Sequence, residues 1–89
     1  LSAYQVNKLC HRLYHDGAFR EAVKADPAKA IADWPLTDAE RTALLSGDIK
    51  RLYEAGAHAF LLGHMTRWDL FGMTPAIYAE RIKDARDPA

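Results

Sequence analysis

Short helical phrases, each opened by a cap and closed by a breaker, leave this chain few folds to choose from. Asp26-Pro27 and Thr74-Pro75 each set an N-cap residue before a proline at the first helical position, where the missing N–H costs nothing. Residues 37–40, Thr-Asp-Ala-Glu, form a capping box: Thr37 accepts from the Glu40 N–H, and Glu40 reaches back to Thr37. Gly47 is placed to end that helix in the left-handed conformation, and Asp48 to cap the next. Ser2 is placed to cap the first. Apolar residues recur at spacings of three and four: Val6, Leu9, Cys10, Leu13 and Tyr14 make one stripe, and Phe19, Ala22 and Val23 another. A third short helix is expected from Pro27 to about Asp33, with Ile31 inward, stopped by Trp34-Pro35. No stretch alternates with period two, and Asp16-Gly17 lies between helical patterns, so no hairpin is signalled. The expected fold is all-α, a compact bundle of five to six short helices. It forms one domain over residues 1–89, with 83–89 a frayed tail.

Bulk properties narrow the function classes. Twelve basic and twelve acidic residues cancel. A neutral chain has no electrostatic reason to seek nucleic acid or an anionic membrane, and zero net charge favours a protein partner over a lone monomer. One cysteine, Cys10, excludes an internal disulfide and fits a reducing compartment; on the apolar stripe it reads as a buried, inert thiol. The longest apolar run, residues 57–65, is interrupted by His58 and His64 and is too short to span a bilayer. The N-terminus lacks the basic and apolar regions of a signal peptide, and the expected location is cytoplasmic.

Residues 52–75 organise the rest. Residues 52–65 read as one helix, thinned by Gly56, Ala57, Ala59 and Gly63, so that another backbone can approach closely. Residues 66–72 form a connector dense in aromatics, ahead of the helix opened by Thr74-Pro75. Trp68, Leu70, Phe71 and Met73 are more large apolar surface than an exposed loop should carry. Phe71, between Leu70 and Gly72 at a turn, is expected to point outward. Arg67 is placed to pair with Asp69 or Asp33, or to face an acidic substrate or partner.

Chemistry of the chain's own is sparse. His11 and His15 share a helix face. The zinc-protease pattern needs a Glu after the first His, and Arg12 stands there; no third ligand follows at a recognisable spacing, so a solvated polar face is favoured over a metal site. His58 and His64, six apart, read as half-buried histidines, with His64 placed for pocket or interface contact. Ser2, Ser46 and Thr74 are explained as caps or turn residues, and Gly63 and Gly72 do not fall in a phosphate-binding arrangement. No catalytic residue and no metal site is expected here.

A set of ordered blocks carries a resemblance. These are Tyr4-Gln5-Val6-Asn7-Lys8-Leu9, Phe19-Arg20 to Lys24-Ala25-Asp26-Pro27, Trp34-Pro35-Leu36-Thr37, Leu44-Leu45-Ser46-Gly47-Asp48, Glu54-Ala55-Gly56-Ala57 to Phe60-Leu61, and Gly72-Met73-Thr74. In order and spacing they resemble the small α subunit of protocatechuate 4,5-dioxygenase-type extradiol enzymes over about residues 4–82. The resemblance implies a larger β subunit that binds Fe(II) through two histidines and a carboxylate and cleaves an aromatic diol with O₂. It implies that the small helical subunit closes the mouth of that active site, binds no cofactor itself, and is non-catalytic. The substrate-channel lid would then be Phe71, Trp68, Met65 and His64, and the partner interface Phe60, Leu61, Arg67, Leu70 and Met73. The protocatechuate-type subunits have a longer N-terminal arm and a longer segment before Gly72-Met73-Thr74, where a lid aromatic sits. The short form here is more similar to the small subunits of enzymes that cleave biaryl or amino-biaryl diols, such as 2′-aminobiphenyl-2,3-diol 1,2-dioxygenase, and leaves room for a bulkier ring substituent. Two rivals remain. A helical recognition module of the same fold would be expected to carry a long modifiable tail, and the chain stops at Ala89. A helix-turn-helix over residues 38–62 lacks a basic reading face.

Overall fold

A computed structural model describes residues 4–86, and the expected cap of Ser2 lies outside them. Among the described residues the elements are all helical. They are α1 (Tyr4–His15), α2 (Gly17–Ala25), α3 (Pro27–Ala30), α4 (Asp38–Ser46), α5 (Ile49–Glu54), α6 (Ala59–His64), two 3₁₀ turns (Met65–Trp68 and Leu70–Gly72) and α7 (Pro75–Ile82).

The expected helix-start signals hold: Asp26, Asp48 and Thr74 each accept a hydrogen bond from the N–H three residues on. Asp16, which reads in sequence only as a break between helices, caps α2 in the same way. The capping box closes in both directions: Glu40 N–H donates to Thr37 Oγ1 at 3.1 Å, and Thr37 N–H to Glu40 Oε1 at 2.9 Å. Helix α3 is shorter than expected, giving way to a turn after Ala30, and Ile31 is fully buried as expected.

Residues 52–65 do not form one helix. The chain breaks between α5 and α6 at Gly56, with φ +110°. Gly56 N–H donates to the Tyr53 carbonyl, and Ala57 N–H to the Leu52 carbonyl, the paired bonds of a Schellman ending. Gly47 closes α4 the same way, at φ +67°, with Gly47 N–H on Leu44 and Asp48 N–H on Ala43. Asn7 of α1 holds the second break from outside: its Oδ1 accepts the His58 N–H at 2.6 Å. Gly56 thus serves a sharp bend rather than a thin helix, and Gly63 faces the Tyr78 ring, which a Cβ there would meet at 4.0 Å, an ordinary contact distance.

Four buried residues of α1 (Val6, Leu9, Cys10, Leu13) line the core, and Leu44, Ile49, Leu52, Leu62 and Leu70 complete its centre. Three arginines reach from elsewhere to carbonyls at or just past helix C-termini. Arg20 donates to the Leu13 and Tyr14 carbonyls at 3.0 and 2.9 Å, Arg41 to Ile31 and Trp34 at 2.5 and 2.8 Å, and Arg81 to Ser46 and Gly47 at 3.2 and 2.8 Å. Burial pushes the Cys10 thiol up to about 12 from its ordinary 9.0, which leaves it protonated and unreactive at neutral pH.

Candidate functional site

The C-terminal half of α1 packs beside α6 and the first 3₁₀ turn, and that junction gathers aromatic rings at the surface. Tyr14 sits at its centre. The His64 ring stands edge-on to it at 4.2 Å between centroids, Phe60 edge-on at 6.4 Å, and Trp68 tilted at 6.4 Å. Phe60 and His64 are themselves 4.4 Å apart. On the other side Tyr14 meets His15 at 4.7 Å, and His15 meets His11 at 4.3 Å. One turn of α6 brings Phe60 and His64 onto the same face, and the 3₁₀ turn carries Trp68 on from them.

Two guanidinium groups lie over Trp68, those of Arg20 at 4.1 Å and Arg67 at 5.5 Å from the ring centroid. Arg20 is fixed there because it also closes the end of α1. Arg67 makes no ion pair among the described residues, so the expected pairing with Asp69 or Asp33 gives way to stacking on Trp68.

Burial sorts the residues singled out in the sequence. Phe60 is 59% exposed, a large apolar ring left in solvent. His64, Trp68 and Leu61 are half-buried, and Arg67 is exposed. Met65, Leu70 and Met73 are inside the core of this chain. Phe71 does not point outward: only 8% of it is exposed. Asp69 and Phe71 adopt left-handed backbone at φ +52° and +55°, so the connector coils back in two tight turns and carries the Phe71 ring to the core. Tyr14, which reads in sequence as one more residue of a core stripe, and Arg20 are the site residues that periodicity alone passes over.

Among the described residues no three His, Cys, Asp or Glu side chains come together as a metal site would need. The His11/His15 pair therefore lacks the carboxylate that a two-histidine, one-carboxylate set requires, and these residues do not fit the iron of an extradiol centre. No helix among the described residues is long and apolar enough to cross a membrane.

The described residues thus present a surface cluster of rings, half-buried except for Phe60, against which another chain could pack. A family model described as "Aromatic-ring-opening dioxygenase LigAB, LigA subunit" matches residues 6–82. The chain belongs to this family, the small subunits of two-subunit, protocatechuate 4,5-dioxygenase-type enzymes. No curated protein and no solved structure gives a significant match to it.

Proposed function

We propose that this chain is the non-catalytic small subunit of an extradiol dioxygenase and closes the active-site mouth of a larger, Fe(II)-bearing β subunit in the cytoplasm. The observation that carries this reading is the surface ring cluster of half-buried Tyr14, His64 and Trp68, with Phe60 held out from it at 59% exposure. Exposed aromatics in a cluster are the composition of an interface centre. Phe60, His64 and Trp68 meet the partner and the channel. Met65, Leu70, Phe71 and Met73 act from beneath, holding the connector in shape. Closing the mouth excludes water and orients the aromatic diol. Oxygen chemistry belongs to the partner's iron, and the residues of this chain take no step in it. A connector wound into two 3₁₀ turns is short, which favours diols with a bulky ring substituent over protocatechuate.

The test is co-purification of the tagged chain from its native cytosol, followed by iron analysis and an oxygen-electrode assay with catechol-type diols. The expected result is a larger iron protein that consumes O₂ with a diol, faster with a biphenyl diol than with protocatechuate. In that complex, Phe60→Ala and Trp68→Ala should change KM or diol preference while iron content stays constant. A partner that neither binds iron nor consumes O₂ would leave the fold in place and remove the oxygenase role.

A further inference from the structure

The ring cluster has a polar border, with formal cations at Lys8, Arg20 and Arg67. Tyr4, Lys8, His11 and His15 fall at spacings of four, three and four along α1, so they line one stripe, and all four are exposed. Helix α1 contains no acidic residue in its twelve positions. Its stripe runs into the cluster through the His11–His15–Tyr14 contacts, and the far side of the cluster carries Arg20 and Arg67 over Trp68. Two carboxylates follow residues of this face in sequence, Asp16 after His15 and Asp69 after Trp68. Asp16 is engaged by the Phe19 N–H and by Arg12, which with the opposing effect of desolvation leave its carboxyl below the ordinary value. Asp69 follows Trp68, and its side chain makes no ion pair among the described residues. The chain as a whole is neutral, whereas α1 carries Lys8 and Arg12 and no carboxylate.

We infer that this face docks on an acidic, partly apolar surface of the larger subunit, with partner Asp and Glu side chains set against Lys8, Arg20 and Arg67 and the rings at the centre. The inference rests on the small-subunit reading above and adds the chemistry of the partner surface. Charge complementarity of this kind steers encounter and fixes register, while the aromatic centre supplies the area that keeps the complex together. Nucleic acid is the other polyanion that a basic face could meet. The protein partner is favoured because the rings occupy the middle of the patch and the formal cations are few.

The experiment uses the full chain and the larger subunit recovered with it, mixed at low and at high salt, with affinity and association rate measured. The expected result is an association rate that falls steeply as salt rises. Lys8→Glu combined with His15→Glu should weaken binding by about ten-fold at low salt, while Lys50→Glu, on α5, stays within about two-fold. Salt-independent binding by the unaltered protein overturns the acidic-surface inference and needs no variant. So does a Lys50→Glu loss as large as that of the α1 pair. In either case, continued binding of the larger subunit leaves the small-subunit reading standing. Absence of any association overturns both. Binding of a short DNA duplex as tightly as of the larger subunit overturns the choice of partner.

Discussion

The two halves of the molecule reach order by different means. Up to α5, helices start on side-chain caps from α2 onward, and α4 shows every local device at once: capping box, acidic first turn and left-handed glycine. From Gly56 to Met73 such devices thin out. Helix α6 starts on His58 with no side-chain cap, both 3₁₀ turns lack one, and two non-glycine residues sit at positive φ. What holds this second region is contact with the first: Asn7 at the α5–α6 bend, and burial of Leu62, Met65, Leu70 and Met73. A segment held by its surroundings rather than by itself can keep strained backbone, and three of the four clustered rings, Phe60, His64 and Trp68, are presented there against Tyr14 of the first region.

Hollowing out each half separates the two regions most sharply. Leu44→Ala and Leu70→Ala both remove a fully buried side chain and should each cost about 2–5 kcal/mol in denaturant unfolding. A cost below about 1 kcal/mol at Leu70 would mean that the connector is a loose flap. Cys10 tests whether α1 opens only with the whole domain. Its folded value lies near 12 against 9.0, so the unfolded chain loses the proton first. Stability is full below pH 9.0 and falls as pH rises toward 12, by up to about 1.4 kcal/mol per pH unit. The Cys10→Ala curve, measured alongside, should lack that component.

Gly47→Ala comes next. A Cβ there would lie 2.6 Å from Met73 Cε and 2.7 Å from an Arg81 nitrogen, at φ +67°. The loss should be at least about 1 kcal/mol, read as a lower Tm. Thr37→Ala removes half of the capping box and should cost about 1 kcal/mol. The smallest effect is expected at Asp69. Asp69→Gly relieves the positive φ but loosens the unfolded chain, and the two should cancel to within about 1 kcal/mol. A large loss there would show that the Asp69 side chain has a structural duty of its own.

How much of this was readable in the sequence follows the same division. Caps are three-residue events, so Asp26, Thr37, Gly47, Asp48 and Thr74 announce themselves, and the α1 stripe locates four core residues. The break at Gly56 is hidden. Apolar residues continue at helical spacing on both sides of it, and its outer anchor, Asn7, is 49 residues away. Phe71 carries no sign of left-handed backbone, because nothing in a phenylalanine favours it. The site was half legible: Phe60, His64 and Trp68 stand out, whereas Tyr14 is indistinguishable from its buried stripe neighbours until α6 is seen against it.

The Arg81 contact with Ser46 and Gly47 also bears on the timing of folding. The other two arginine clamps join residues six to ten apart, whereas this one spans 34 and 35. Closing so long a stretch of chain is entropically expensive before other contacts are in place. It should therefore form after the rate-limiting step, and shortening the clamp in Arg81→Ala should speed unfolding while leaving the refolding rate nearly unchanged. The last helix then acts as a latch, governing how long the folded domain survives rather than how fast it is made.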